Sequence, residues 1–320
     1  MTHMRYRQLG DSGLTVSVVG LGCNNLGRPN TRTEQLSGAT AVIDACIDAG
    51  ITLFDVADTY GAKPGLSESI LGQALGKRRA DVVVATKFGM DMGGANGPDW
   101  GARGSRRYIR RAVQASLTRL GTDYIDLYQY HVPDGITPIE ETLAALGELV
   151  DEGKVRYVGS SNFRGWQVVE ADFIARAGGY PRCISAQNNY NLLERDVEAE
   201  LRPACEAYGV GILPFFPLAN GLLTGKYTRG ASPGSDTRLG HSKTRLQQDA
   251  DWDAIERLDR YARDRDIELI DVAIGGLAAL PAVSSVIAGA TRPEQVARNA
   301  QAGLWEPSAA DLAELDEIAG

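Results

Sequence analysis

The sequence is poor in the residues that hold metals and staple small folds. Of its 320 residues only three are histidine and four are cysteine. Cys23, Cys46, Cys183 and Cys205 lie far apart with no Cys-x-x-Cys pair, so neither a zinc site nor a disulfide framework is indicated, and buried reduced thiols are expected. No apolar run approaches the roughly 20 residues that span a bilayer. The opening Met1-Thr2-His3-Met4-Arg5 has no charged start leading into an apolar stretch, and a cytoplasmic protein without membrane association is expected. Excess positive charge is missing too. The formal net charge is −8, and basic residues cluster only briefly, at Lys77-Arg78-Arg79 and between Arg106 and Arg111, which disfavours a nucleic-acid partner. The chain also lacks a Gly-x-Gly-x-x-Gly fingerprint: Gly20-Leu21-Gly22-Cys23-Asn24-Asn25 stops short, which disfavours a Rossmann dinucleotide domain.

What is present is an ordinary apolar mass, 43% hydrophobic against 23% charged, enough for one large core. Residues 6–9 and 14–18, bridged by Gly10-Asp11-Ser12-Gly13, read as a β-hairpin. From Val18 onward short β-rich runs alternate with helical periodicity. Strands are expected near 18–22, 51–54, 82–85, 125–128, 155–160, 184–186, 210–214 and 286–288, with helices between them. About eight strands separated by helices call for a parallel sheet closed on itself. The fold expected is α/β, a (β/α)8 TIM barrel with an N-terminal β-hairpin and long loops at the C-terminal face, forming one domain over residues 1–320. Two connections, 89–107 and 219–251, are too long for plain turns and leave the sheet on one side, as binding loops or lids do.

Three of these strands run into polar residues. The run before Asp55 opens into a loop carrying Tyr60, the next strand ends on Lys87, and a third ends on His131. Singly, each has an ordinary reading: a turn aspartate, a packing tyrosine, a snorkelling lysine. Together, at three strand ends inside Asp55-Val56-Ala57-Asp58-Thr59-Tyr60-Gly61, Ala85-Thr86-Lys87-Phe88-Gly89 and Tyr128-Gln129-Tyr130-His131-Val132-Pro133-Asp134, they resemble the catalytic tetrad of the aldo-keto reductases in its chain order. The resemblance runs from Gly10-Asp11-Ser12-Gly13-Leu14 to the motif at residues 289–296. It implies that the hairpin plugs the bottom of the barrel and that a small carbonyl substrate is reduced by hydride transfer, with Tyr60 as general acid and Asp55, Lys87 and His131 completing the site. A free tyrosine titrates near 10, and a unit charge at about 4 Å is worth about 4 kcal/mol at an effective dielectric of 20. Lys87 is therefore expected to lower the Tyr60 pKa by about two units. Asp55 would hold the ammonium, and His131 would donate a hydrogen bond to the carbonyl oxygen.

The resemblance also implies a nicotinamide cofactor lying across the barrel mouth. Ser161, Asn162 and Gln187 fall where the family binds the carboxamide, although Ser-Asn after a strand is by itself an ordinary turn or cap. Phe215 falls where a ring stacks on the nicotinamide, and Phe216 stands where serine is common. Pro217 and Leu218 continue that segment, and Lys226 in Gly221-Leu222-Leu223-Thr224-Gly225-Lys226 falls near the diphosphate. At the adenosine end stand Gly289, Thr291, Arg292, Gln295 and Asn299. Arg292 precedes a helix opened by Pro293 and suits a 2′-phosphate, so NADPH is expected over NADH. Arg298 is expected as a solvated helix residue.

For the substrate pocket Asn24, Trp100 and Tyr130 are the candidates, with Trp305 a further one, and ordinary packing explains each equally well. Basic residues of the second long loop, Arg229, Arg238, Lys243 and Arg245, are expected to close over the cofactor. No metal is expected, because His131 has no second ligand nearby in sequence. Two other functions fit the same residues: an NAD(P)-dependent aldose or alcohol dehydrogenase, and a cofactor-binding sensor with little turnover, as in potassium-channel β subunits. No heptad repeat speaks to the oligomeric state.

Overall fold

The computed structural model describes residues 3–231, 246 and 248–319; Arg238, Lys243 and Arg245 of the expected lid lie outside them. Eight parallel strands form one sheet: β3 (Val19–Gly22), β4 (Leu53–Asp55), β5 (Val83–Phe88), β6 (Ile125–Tyr130), β7 (Val155–Ser161), β8 (Cys183–Gln187), β9 (Gly211–Ile212) and β10 (Val286–Gly289). Hydrogen bonding runs β10-β3-β4-β5-β6-β7-β8-β9. The two ends of that order then meet. Ser284 N donates to Ile212 O at 2.9 Å and Ile287 N to Pro214 O at 2.9 Å, with bridges Ile212↔Val283 and Phe215↔Ile287. Closure leaves the sheet without a free edge.

Helices separate the strands and pack outside: α1 (Leu36–Asp48), α2 (Leu66–Leu75), α3 (Arg106–Leu120), α4 (Ile139–Asp151), α5 (Gly165–Gly178), α6 (Leu201–Tyr208), α7 (Trp252–Arg263), α8 (Leu269–Ala278), α9 (Pro293–Ala302) and α10 (Ala309–Ala319). Their caps match the local sequence. Ser105 accepts from Tyr108 N at the start of α3, and Gly121, at φ 64°, ends it in the left-handed conformation that glycine adopts without strain. The structure moves several expected boundaries. Strand β9 is only two residues long, and the helix expected from residue 33 begins as a single 3-10 turn before α1. The chain closes on helix α10. It docks on α7 through Tyr261 Oη, which donates to Asp311 at 2.8 Å, and its start carries a Ser308/Asp311 capping box. That Ser-x-x-Asp spacing is the signal that reveals this helix.

The hairpin β1 (Tyr6–Gln8) and β2 (Thr15–Ser17) lies under the barrel. Its Leu9 and Val16 pack with Leu53, Ala85, Leu127, Leu213 and Ile287, a fully buried cluster inside the sheet. Gly10 makes the close approach possible: a Cβ there would fall 2.6 Å from both the Gly209 and Ile184 carbonyl oxygens. The interior therefore fills from below. Because strand side chains alternate, the next inward positions above Leu53, Ala85 and Leu127 are Asp55, Lys87 and Gln129. A polar layer thus sits on an apolar one, at the C-terminal ends of the strands.

Candidate active site

In that layer Lys87, fully buried, donates to Asp55 Oδ1 and Oδ2 at 2.7 and 2.8 Å and to the Val56 carbonyl at 3.0 Å. Its fourth neighbour is the Tyr60 hydroxyl at 3.4 Å. The His131 ring stands edge-on to Tyr60 with centroids 6.0 Å apart. All four tetrad candidates therefore meet. His131 is placed by its own backbone N–H, which donates to Phe88 O at 2.8 Å, the bond that continues the β5–β6 ladder past its last residue.

Burial works against the Lys87 ammonium, but Asp55 and Tyr60 together outweigh it and the pKa of Lys87 is raised. Tyr60 departs from expectation. Burial pushes its hydroxyl above the ordinary value, and Lys87 pulls it back only in part while Asp55 opposes the lysine. Tyr60 therefore rests protonated. Burial, with Lys87 adding to it, drives His131 down to about 3, so its ring is neutral, and its Nδ1 is buried without a partner among the described residues.

Two glutamines complete the layer. Gln187 Nε2 donates to Asp55 Oδ1 at 2.8 Å and lies 3.4 Å from Gln129 Oε1, while Gln129 Nε2 reaches Asp55 Oδ1 at 3.5 Å. Gln129 was not singled out in the sequence, yet it lies in the quoted Tyr-Gln-Tyr-His segment at inward parity. Ser161 Oγ donates to Gln187 O at 2.9 Å, and Asn162, at φ 56°, donates from Nδ2 to His131 O at 3.0 Å. The expected carboxamide site is thus hydrogen-bonded to the tetrad itself.

These residues floor a cavity of about 1100 Å³ that extends along β9 and β10 to Arg292, slightly above the roughly 300–1000 Å³ of common small-molecule pockets. Asp55, Tyr60 and His131 line it, as do Asn24, Ser161, Asn162, Gln187, Phe215, Pro217, Leu218, Lys226, Gly289, Thr291, Arg292, Gln295 and Asn299. The wall at 216–221 is an unusual turn. Phe216, Ala219, Asn220 and Gly221 all have φ between 45° and 105°, a strain concentrated where backbone faces the cavity. At the far end Gln295 Oε1 accepts from Thr291 N at 2.8 Å, and Asn299 Nδ2 reaches Gly289 O at 3.4 Å. Arg298 is not a solvated residue: it grips Asp271 with two bonds of 2.7 Å and also holds Glu268. Arg292 is exposed on the cavity with no ion-pair partner among the described residues. A cation without an ion pair at the end of a long cleft suits an anionic group of a ligand.

The expected substrate residues divide. Asn24 lines the cavity, whereas Trp100 is 71% exposed and stacks under the Arg107 guanidinium, outside the lining. Tyr130 is also outside it. Alternation sends Tyr130 away from the interior to which Gln129 points, and it stacks flat on Phe88 with centroids 5.1 Å apart. Trp305 packs on Tyr261 beneath α10. Met90 and Thr59 are lining residues that the sequence reading missed.

Behind the layer, on the outer face of β4 and β5, lies a second polar cluster. Glu68, fully buried, receives Arg119 at 2.6 Å and Thr86 at 2.6 Å. Asp58, equally buried, accepts only from Asn96 at 3.2 Å, and its other oxygen has no partner among the described residues. Burial first, then Glu68, raises the Asp58 carboxyl to about 8, against the pull of Arg119, Asn96 and Lys87. A raised carboxyl pKa costs stability as pH climbs from the unfolded value near 4 towards 8. The Asp58→Asn variant is therefore expected to gain on the parent protein over that interval in urea midpoints, with no further gain above pH 8. A difference independent of pH would show Asp58 to be ionised in the fold.

A closed barrel whose strand ends present an acid-paired lysine, a protonated tyrosine and a neutral histidine to a dinucleotide-sized cleft defines an NAD(P)H-dependent carbonyl oxidoreductase. The sequence profile of the Aldo/keto reductase family matches residues 18–319, and the chain belongs to that family. It is 38% identical over 314 residues, 93% of this chain and 91% of the relative, to the "probable voltage-gated potassium channel subunit beta" of Oryza sativa subsp. japonica. It is 35% identical over 326 residues, 98% of this chain and 92% of the relative, to the "L-glyceraldehyde 3-phosphate reductase" of Escherichia coli (strain K12). The "versiconal hemiacetal acetate reductase" of Aspergillus parasiticus is 37% identical over 292 residues, 85% of this chain and 84% of that protein. No helix among the described residues is long and apolar enough to cross a membrane.

Proposed function

We propose that this protein reduces aldehydes or ketones to alcohols with NADPH, Tyr60 delivering the proton to the carbonyl oxygen. The observation that carries the reading is Lys87 bound at once to the Asp55 carboxylate and the Tyr60 hydroxyl on the cavity floor. The bound cofactor supplies the hydride. Tyr60 rests as the phenol, so it holds the proton that the reduced oxygen must receive. Lys87, fixed by Asp55, stabilises the phenolate left behind, and a neutral His131 orients the carbonyl by donating a hydrogen bond. Ser161, Asn162 and Gln187 would hold the carboxamide, Phe215 would stack beside it, and Pro217, Leu218 and Lys226 would follow the diphosphate. Gly289, Thr291, Arg292, Gln295 and Asn299 would enclose the adenosine end. One barrel domain over residues 1–320 belongs to the same reading, and four free thiols support a reducing, cytoplasmic setting.

Preference for NADPH rests on Arg292, the exposed cation at the start of α9. Arg292→Ala is expected to raise the Kd for NADPH roughly tenfold or more, as loss of a charged hydrogen bond does, and to leave that for NADH nearly unchanged. Fluorescence titration reads both; an unchanged ratio would remove the basis for the preference.

The name of the rice relative favours a second reading, a cofactor-binding sensor with little turnover. Titration with NADPH followed by its consumption with a panel of aldehydes separates the two. Binding and consumption support the reductase. Binding without consumption supports the sensor, and no binding of either nucleotide contradicts both.

A further inference from the structure

Most arginines of the fold are matched. Arg7, half-buried, places its guanidinium on the Ala278 and Val283 carbonyls at 2.8 Å each, and Arg119, Arg182, Arg195 and Arg298 each hold carboxylates. Arg28 differs. It is half-buried on the wall of the cleft, and burial alone lowers its pKa, yet among the described residues no acceptor or carboxylate meets its guanidinium. The cleft's own acids do not compensate it, since Asp55 is held by Lys87 and Glu268 by Arg298. A partly desolvated charge without an acceptor is costly, and a fold keeps it in place only through its surroundings.

Those surroundings are rigid. Gly27 N donates to Thr33 O at 2.8 Å, Arg28 N to Asn25 O at 3.1 Å, and Thr31 Oγ1 to Arg28 O at 2.8 Å. Ala62 N donates to Gly27 O at 3.0 Å, which ties the peptide just before Arg28 to the segment that carries Tyr60. The peptide that carries the cation is therefore fixed on the wall of the cleft that Tyr60 also lines, whereas Lys226 and Arg292 line it from the segments that follow β9 and β10.

We propose that Arg28 is a specificity residue that binds an anionic oxygen group, a carboxylate or phosphate, carried by the carbonyl substrate. The guanidinium fork matches such groups bidentately, and binding exchanges an unmatched charge for a matched one. This rests on the carbonyl-reductase reading above. It narrows that reading from carbonyl compounds in general to those with an acidic tail.

The test compares matched aldehydes on the NADPH-loaded protein: succinic semialdehyde against butanal, and glyceraldehyde 3-phosphate against glyceraldehyde. For Arg28→Gln, kcat/KM is expected to fall roughly 10- to 100-fold for the anionic member of at least one pair and to stay within about twofold for its neutral partner, the range a charged hydrogen bond supplies. Arg28→Lys, which keeps the charge and loses the fork, is expected to recover part of the loss. Activity on the neutral aldehydes reports that the variants are folded. Equal losses for anionic and neutral aldehydes, or no loss for either, overturn the proposal. So does a weaker Kd for NADPH in Arg28→Gln, because the charge then serves the cofactor phosphates. If the parent protein turns over none of the four aldehydes while binding NADPH, the reductase reading fails and takes this one with it.

Discussion

Tyr60→Phe is expected to lower kcat by roughly 10²- to 10⁴-fold, the usual worth of a positioned general acid, while leaving the Kd for NADPH within about twofold. The substitution removes one oxygen and keeps the ring that stands edge-on to His131 at 6.0 Å, so the cavity keeps its shape. Lys87 loses only its most distant contact, at 3.4 Å, and remains tied to Asp55 and Val56. Single-turnover oxidation of bound NADPH by an excess of aldehyde measures the step directly. A loss smaller than tenfold would take the proton-donor role away from Tyr60. The same chemistry fixes the pH dependence. Reduction needs the phenol, and the Tyr60 pKa is raised above its ordinary value near 10. The rate is therefore expected to be level through neutral pH and to fall only as pH rises past about 10. His131 adds no acid limb until pH approaches about 3.

Lys87→Met is expected to be the most destabilising single change in the site. The lysine is fully buried and Asp55 is 3% exposed, so removing the ammonium leaves a largely desolvated carboxylate without its cation. Breaking such a pair from one side costs about 3–5 kcal/mol. Gln187 still donates to Asp55 at 2.8 Å, which places the expected loss near 3 kcal/mol, the lower end of that range. Urea denaturation would measure it. Adding Asp55→Asn to Lys87→Met is expected to recover a large part of the loss, because the stranded charge is gone. The cost of the single variant should also shrink as pH falls and the unpaired Asp55 takes up a proton. A loss under about 1 kcal/mol would mean that the pair contributes little beyond what its burial costs.

The meeting of Asp55, Tyr60, Lys87 and His131 was legible because three apolar strand runs end on Asp55, Lys87 and His131, with Tyr60 on the loop after the first, and a parallel sheet brings such ends to one face whatever the detailed packing. The residues that line the long cleft were named through the family resemblance rather than through periodicity. Pocket lining was less accessible. Tyr130 and His131 are neighbours in sequence, yet Tyr130 packs outward on Phe88 while His131 turns into the cleft, and only the end of the ladder decides which residue turns. Trp100 looked like a pocket residue by type, but an isolated aromatic in a long loop carries no periodic signal of the side it faces.

The family resemblance implied the hairpin's place beneath the barrel and the choice of Asp55, Tyr60, Lys87 and His131, while residue order determined the class of fold, the number of strands in the barrel and the presence of the hairpin. Periodicity and turn chemistry are local properties, and they suffice for that. Tertiary structure decided the balance of charge. Lys87 was expected to acidify Tyr60, and instead burial, with the Asp55 carboxylate opposing the lysine, leaves the tyrosine protonated. It also decided that Asp58 is buried beside Glu68 and that Arg28 has no partner among the described residues. Such quantities depend on the solvent excluded and the field summed at a point in space, to which residues far apart in sequence contribute, as Arg119 does at Asp58.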